Sequence, residues 1–173
     1  DQRVAILIDV QNLYHSAKNL YNARVNFNKV LEAALAGRKL VRALAYVIKT
    51  ETGEEAAFFE ALTKMGIETK VKDLQIFPGG MKKGDWDVGM AVDAIRLGEF
   101  TVDSLVLGTG DGDFVPLVEY LIGRGRQVEV IAFGRSTSAK LKEVADDFID
   151  MSNDPKKFTI PIKKSKNTKR IKQ

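Results

Sequence analysis

The 173 residues are enough for one domain with a buried core, and a content of 45% hydrophobic and 29% charged residues is typical of a soluble globular protein. The sequence has no cysteine and one histidine, His15, which excludes a disulfide framework, a thiolate zinc site and an imidazole cluster. Any bound metal ion therefore needs oxygen ligands.

The net charge of +4 is unevenly distributed. Eight of the 27 Lys and Arg residues lie from Pro155 onward, where there is no Asp or Glu, so residues 1–154 carry 19 basic against 23 acidic residues. We expect a domain over residues 1–154 and a flexible basic tail over residues 155–173. Such a tail suits a phosphate backbone, and a solubilising terminus is the alternative.

No apolar run approaches the roughly 18 residues that span a bilayer, and no secretory leader pattern opens the sequence. We therefore expect a cytoplasmic protein that has no membrane partner.

Four apolar runs rich in β-branched residues predict strands that are buried on both faces of a parallel sheet. In chain order they are residues 4–10, 40–48, 104–110 and 128–133. Helical periodicity of apolar residues occurs at residues 30–35, 58–65, 88–95, 114–122 and 141–145. Strands that alternate with helices predict a three-layer α/β/α, Rossmann-like domain with a mainly parallel central sheet. The one long irregular stretch, residues 74–86, is a candidate functional loop.

Acidic residues follow the predicted strands. Asp9 closes the first strand, Asp111 and Asp113 follow the third, and Asp87 opens the helix that leads into it. Ligands of open parallel sheets bind beyond the carboxyl ends of the strands, so these acids are expected to meet there. Because clustered carboxylates repel one another, a hard cation such as Mg²⁺ or Mn²⁺ is their natural partner. Such ions support the hydrolysis of phosphodiesters.

Each acid also has a simpler interpretation. Asp9 and Asp113 are suited to cap the helices that follow them, and Asp87 is favourable in the first turn of its helix. Asp93 lies six residues after Asp87, about 240° round the helix at 3.6 residues per turn, and is a second-tier metal candidate. The coincidence of the acids at one edge favours the metal site.

Three blocks of sequence resemble a known family. They are "ILIDVQN", "KKGDWDVGMAVDAI" and "LVLGTGDGDFVPLVEYLIGRGRQVEVIAF". Together they resemble the NYN domain, in its LabA-like branch, within the PIN-like nuclease superfamily. The resemblance implies a PIN fold and metal-dependent cleavage of RNA. It also implies that Asp9, Asp87 and Asp111 hold the metal, that Asp113 assists, and that Asn12 orients a ligand.

The sequence departs from the family pattern at two places. One extra residue in "KGDWD" leaves Asp85 and Asp87 as alternatives, and helical continuity favours Asp87. Thr109 replaces the usual Ser and keeps the hydroxyl, so it is included among the substrate-binding candidates.

Three further residues are candidate contacts for substrate phosphates. Lys83, in the irregular stretch, carries an ammonium group suited to a phosphate. Ser136 and Ser138 open a predicted helix, where hydroxyls and free N–H groups bind anions. A plain N-cap is the alternative for Ser138.

We therefore interpret the chain as a Mg²⁺- or Mn²⁺-dependent ribonuclease acting on RNA, single-stranded in the first instance, with DNA not excluded. The alternatives are a PIN-like module that binds RNA without cutting it and a small phosphohydrolase acting on nucleotides. A homodimer is compatible with the sequence.

Overall fold

The computed structural model describes residues 2–49, 55–80 and 82–162. Its strands are β1 (Arg3–Asp9), β2 (Ala23–Val25), β3 (Lys39–Lys49), β4 (Glu68–Asp73), β5 (Gln75–Ile76), β6 (Lys82–Lys83), β7 (Ser104–Gly108), β8 (Gln127–Ala132), β9 (Asp147–Asp150) and β10 (Thr159–Pro161). Its α-helices are α1 (Val10–Tyr21), α2 (Phe27–Leu35), α3 (Ala56–Lys64), α4 (Asp87–Phe100), α5 (Val115–Gly123), α6 (Ala139–Val144) and α7 (Pro155–Phe158).

Six strands form the central sheet in the order β4-β3-β1-β7-β8-β9, and every neighbouring pair runs parallel. The predicted α/β fold with a mainly parallel sheet is confirmed. The chain moves outward from β1 through β3 to β4 on one side, and from β7 through β8 to β9 on the other. The strand order therefore reverses between β1 and β7, which is where ligands of such sheets bind.

Helices cover both faces of the sheet and create two apolar cores. One core contains apolar residues of α1, α2 and α3, including Leu13, Val30 and Leu62. The other contains residues of α4, α5 and α6, including Met90 and Leu121. Because residues of one strand alternate between the two cores, β1 is buried on both faces. Its near-continuous apolar sequence follows from this position.

The folded part of the chain continues beyond the expected domain boundary. Residues 155–161, assigned above to the flexible tail, form α7 and β10, and β10 pairs antiparallel with β2. Asp154 caps α7, Pro155 occupies its first turn, and Phe158 is buried in the core beside α2. Burial of Phe158 and the capped start of α7 thus order this segment, although its lysines favoured a flexible tail. Residues 163–173 lie outside the described residues.

The stretch expected to be irregular, residues 74–86, contains a short antiparallel pair of strands, β5 with β6.

Among the described residues, none of the helices combines the length and the apolar character that a membrane span needs.

Candidate metal centre

Asp9 stands where β1 ends and α1 begins. One carboxylate oxygen, Oδ1, accepts a hydrogen bond from the backbone N–H of Asn12 (3.2 Å), so Asp9 is the N-cap of α1. The other, Oδ2, accepts from the hydroxyl of Thr109 (3.1 Å). The capping interpretation is therefore correct, and it is compatible with a second role. A carboxylate has about four lone-pair sites, so capping fixes the side chain without using all of them.

The loop after β7 is held against α1 by its backbone. Thr109 is fully buried, and its Oγ1 accepts a hydrogen bond from the N–H of Asp111 (3.2 Å) while its hydroxyl donates to Asp9. The N–H of Gly110 donates to Oδ1 of Asn12 (2.8 Å), and its carbonyl accepts from the N–H of Ser138 (2.9 Å). The loop therefore cannot shift without breaking contacts to two other elements.

Glycine is required in this loop by close approach. A Cβ atom on Gly110 would lie 2.7 Å from Oγ1 of Thr137, and one on Gly112 would lie 2.9 Å from Oγ of Ser138. Asp111 then caps the short helical turn Gly112–Phe114, because its Oδ1 accepts from the N–H of Asp113 (2.9 Å). The glycines let the loop pack tightly enough to direct Asp111 back toward β1.

Asp87 is the first residue of α4, and its backbone N–H donates to Oδ1 of Asp85 (3.1 Å). Trp86, just before it, is anchored by a hydrogen bond from its indole Nε1–H to the carbonyl of Val47 (3.0 Å). Lys72 lies over the indole ring, with Nζ 4.5 Å from the ring centroid. These contacts attach the start of α4 to β3 and β4 and fix the position of Asp87.

The carboxylates of Asp9, Asp87 and Asp111 converge. Each offers an oxygen atom, and these three atoms lie within 4.8 Å of one another. The three residues come from the end of β1, the start of α4 and the loop after β7, at the point where the strand order reverses. All three side chains are partly buried.

Burial and mutual repulsion oppose ionisation of this cluster. The pKa of Asp87 is raised to about 6, first by burial and then by the negative charges of Asp111, Asp85, Asp9 and Asp113. A carboxylate that resists ionisation beside other carboxylates gains from a nearby cation.

The pKa of Asp9 is also raised. Burial is the largest cause, hydrogen bonds from Asn12 and Thr109 oppose it, and the charge of Asp111 adds to it. Asp9 and Asp87 are therefore both harder to ionise than an ordinary carboxylate.

Near the amino ends of the strands, a buried acid is neutralised by an arginine of the same chain. The buried Glu129 accepts hydrogen bonds from Nη1 of Arg38 (2.6 Å), Nη2 of Arg38 (3.2 Å) and the hydroxyl of Ser104 (2.9 Å). By contrast, no Lys or Arg whose side chain is described forms an ion pair with the three clustered acids. Three oxygen donors without a basic partner suit a hard divalent cation.

The remaining predicted acids fall in two places. Asp113 is exposed beside the cluster, where its charge contributes to the raised pKa of Asp87. Asp93 lies away from it: its Oδ2 accepts from the hydroxyl of Tyr46 (2.7 Å) and from Nζ of Lys70 (2.7 Å). Burial favours a higher pKa of Asp93, but the bonds from Lys70 and Tyr46 outweigh it and lower the pKa. Asp93 is therefore paired with Lys70 and Tyr46 and is not among the three acids that converge.

Three side chains predicted to contact a ligand form hydrogen bonds within the protein. Ser138 is the N-cap of α6, with its Oγ accepting from the N–H of Leu141 (3.3 Å), as the simpler interpretation has it. Ser136 donates a hydrogen bond to Oγ of Ser16 (2.8 Å). Oδ1 of Asn12 is occupied by the N–H of Gly110, so Asn12 positions the loop. Lys83 belongs to β6, and its side chain lies outside the described part of the structure.

Sequence reasoning missed the roles of Trp86, Gly110 and Gly112 as positioning residues. The glycines were visible in "GTGDGD", but only the fold reveals that Thr137 and Ser138 pack above them. Trp86 carried no such pattern, because its partner Val47 is distant in the sequence.

Comparison with known proteins gives a consistent result. The family model of the NYN domain matches residues 3–153. A crystal structure of a protein of unknown function from Vibrio parahaemolyticus is similar to this chain, with a TM-score of 0.83 and 34% identity over 92% of this chain and 96% of that one.

Two curated proteins are also similar. The low amplitude and bright protein LabA of Synechococcus elongatus is 25% identical over 90% of this chain and 87% of its own length. An uncharacterized protein of Methanocaldococcus jannaschii is 27% identical over 99% of this chain. The chain spans 65% of the length of that archaeal relative.

Proposed function

Because the chain belongs to the NYN domain family, which is of the nuclease type, we propose that it is a divalent-metal-dependent ribonuclease. The observation that carries the proposal is the meeting of three carboxylate oxygens, within 4.8 Å of one another, at the reversal point of the sheet. Carboxylates grouped in this way are a common means of presenting a hard cation to a phosphate.

Asp9, Asp87 and Asp111 are the residues that hold the cation in this proposal. When bound, Mg²⁺ or Mn²⁺ supplies a Lewis acid that lowers the pKa of a water molecule and stabilises the charge that develops on the phosphate. The donor set fits this group, since oxygen ligands are what both ions prefer. In this proposal Asp113, which is exposed beside the cluster, assists on the substrate side.

The neighbouring residues hold the acids in position. The hydroxyl of Thr109 connects Asp9 with the N–H of Asp111, and the side chain of Asn12 fixes the loop between them. Ser138 fixes the same loop from the opposite side through its N–H. Thr109, Asn12 and Ser138 are therefore positioning residues in this proposal. The sequence made Thr109 and Ser138 candidates for substrate binding, with an N-cap as the alternative for Ser138, and the resemblance implied that Asn12 orients a ligand.

RNA is the proposed substrate, single-stranded in the first instance, with cleavage of its phosphodiester bonds as the reaction. The family and the LabA relative support a nuclease. Because a flexible strand can bend a phosphate into a recessed cluster more easily than a duplex can, a single strand suits the partly buried acids.

The test is cleavage of end-labelled single-stranded RNA by purified protein in Mn²⁺ or Mg²⁺, read on a denaturing gel. We expect the parent to cut, and Asp9→Asn and Asp111→Asn to lose at least about a hundredfold in rate, since removal of even a supporting residue of a metal site costs 10–100-fold. Asp93→Asn is the matched control, because this acid pairs with Lys70 outside the cluster.

Equal cutting by all four proteins would reveal a contaminating ribonuclease. A parent that retains RNA but never cuts it would contradict the proposal and support a binding module. A parent that releases phosphate from nucleotides while leaving RNA intact would support a small phosphohydrolase.

A further inference from the structure

A groove runs from the acidic cluster down one side of the molecule, between α4 and α5. Its volume is about 360 Å³, within the range of roughly 300–1,000 Å³ that is usual for small-ligand sites. Val88, Ala91 and Ile95 line it on α4, and Leu117 and Tyr120 line it on α5. None of these five side chains carries a charge.

The groove leaves apolar side chains in contact with water. Val88 is 77% exposed and Tyr120 is 47% exposed, although both are large and apolar enough for a core. Contiguous apolar surface of this kind, beside a site of charged groups, is typical of a surface that binds a partner.

The upper end of the groove is part of the acidic cluster. Asp87, one of the three converging acids, and Asp113 both line it. Anything held at the cluster therefore has the groove directly beside it, because Asp87 belongs to both.

The lower end of the groove carries two arginines. A smaller cleft shares Ile95 and Tyr120 with the groove and is also lined by Arg124, Arg126 and Glu99, so two positive charges stand beside one negative charge. Arg124 is exposed and forms no ion pair with any described residue. The Nε atom of Arg126 is buried without a hydrogen-bond partner in the described part of the chain, while its Nη2 donates to the carbonyl of Glu99 (3.3 Å).

The order of chemical groups along the groove is acidic, apolar and aromatic, then basic. The nine residues of α5 separate the ends by about 14 Å at 1.5 Å per residue. A single strand of nucleic acid has a matching order: a phosphate at the cation site, a base that stacks on an aromatic ring, and a later phosphate that binds arginine. A second apolar protein surface would leave the exposed Arg124 without an anionic partner.

We propose that this groove, lined by Val88, Ile95, Leu117 and Tyr120, binds the nucleobase next to the scissile phosphate, and that Arg124 and Arg126 bind a phosphate further along the same strand. This inference rests on the proposed ribonuclease function. It adds the path of the substrate, down the seam between α4 and α5, and a stacking contact on Tyr120.

The test is the affinity of a fluorescent single-stranded oligoribonucleotide, measured by anisotropy with Ca²⁺ in place of Mg²⁺, with a gel to verify that the strand stays intact. Tyr120→Ala is expected to weaken binding by roughly fivefold to a hundredfold, the usual effect of removing one base-stacking side chain. Tyr14→Ala is the matched control, because Tyr14 is 46% exposed and lies on α1, on the opposite face of the sheet.

A second pair of variants tests the phosphate contact. Arg124→Ala is expected to reduce the slope of log affinity against log salt by about 0.7, the value for one phosphate of a single strand. Arg24→Ala is its control, since Arg24 is an exposed arginine on β2, which packs beside α1. An oligonucleotide with one abasic position should abolish the Tyr120→Ala effect, a result that misfolding of the variant would not produce.

The outcomes separate the two proposals. RNA cleavage by a parent whose affinity is unchanged by Tyr120→Ala and Arg124→Ala would overturn the groove assignment and leave the ribonuclease standing. RNA binding that depends on Tyr120 but is never followed by cleavage would support the groove and contradict the ribonuclease. A dimer in sedimentation that Tyr120→Ala dissociates would overturn the groove assignment, since a second copy of the chain would then occupy the groove.

Discussion

Thr109 links two of the three clustered acids, although it carries no charge. Its hydroxyl donates to Oδ2 of Asp9, and its oxygen accepts from the N–H of Asp111. The residue is fully buried, so no water molecule replaces the lost partners if the hydroxyl is removed.

Thr109→Val keeps the shape of the side chain and removes both hydrogen bonds. We expect RNA cleavage to fall by about 10–100-fold, the usual cost of a supporting residue in a metal site, with a weaker apparent affinity for Mn²⁺. Thr109→Ser, which keeps the hydroxyl, should retain most of the activity. A valine variant with parental kinetics and parental Mn²⁺ dependence would show that the acids hold their positions without Thr109.

Asp87 makes stability depend on pH in the absence of metal. Its pKa is about 6 in the folded protein, above the ordinary value of 3.8, so the folded state holds a proton that the unfolded state releases. The contribution of Asp87 to the free energy of unfolding is therefore fully present below about pH 4. It is lost as the pH rises through about 6, where the folded protein must release the proton.

Asp87→Asn removes this effect. In EDTA at pH 7.5 we expect the variant to have a higher Tm than the parent, by about 1–3 °C after allowance for solvent screening, and the difference should shrink at pH 4. Differential scanning calorimetry measures it. Added Mn²⁺ should raise the Tm of the parent more than that of the variant. A variant less stable than the parent at pH 7.5 in EDTA would contradict the unfavourable charge cluster.

At the scale of elements, the sequence predicted the strands that lie in the middle of the sheet and the helices that follow them. The reason is physical: β1, β7 and β8 are buried on both faces, so apolarity alone identifies them. The edge strands β4 and β9 were missed, since they carry alternating charged residues such as Lys70, Lys72 and Asp147. One face of an edge strand meets water, which removes the apolar pattern.

The convergence of Asp9, Asp87 and Asp111 was predicted from their positions at strand ends and helix starts. What was not predicted depends on contacts between residues distant in sequence. Asp93 is removed from the cluster by Lys70 of β4, a strand that the apolar pattern did not reveal. The anchoring of Trp86 to Val47 has the same origin.

The element α7 with β10 gives a test of where the fold ends. Truncation after Asp154 removes the buried Phe158 and the pairing of β10 with β2, and we expect it to lower the Tm by more than about 5 °C. Truncation after Ile162 should leave the Tm within about 1 °C of the parent. Thermal unfolding followed by circular dichroism measures both. Equal stability of the two truncated proteins would indicate that α7 and β10 contribute nothing to the core.

At the scale of the whole molecule, the charge is divided between an acidic domain and a basic terminal segment. Residues 163–173 contain six Lys and Arg residues and no acid. A domain with net negative charge repels a polyanion, so under the proposed function we expect these basic residues to help bring RNA to the cluster.

Removal of residues 163–173 is expected to weaken RNA binding and to reduce the salt slope of log affinity by up to about 4, if all six charges contact phosphates of a single strand. Anisotropy at several salt concentrations measures the slope. The rate of cleavage at saturating RNA should stay unchanged, since the cluster is intact. An unchanged affinity and slope would assign these residues no role in phosphate binding.

The central claim is that three acids from distant parts of the chain share one cation, and binding of Mn²⁺ by electron paramagnetic resonance or calorimetry tests it most directly. The account predicts that the parent and Asp93→Asn bind Mn²⁺ with equal affinity, and that Asp111→Asn binds it at least tenfold more weakly. Equal affinity of all three proteins for Mn²⁺, or no binding by the parent, would contradict it.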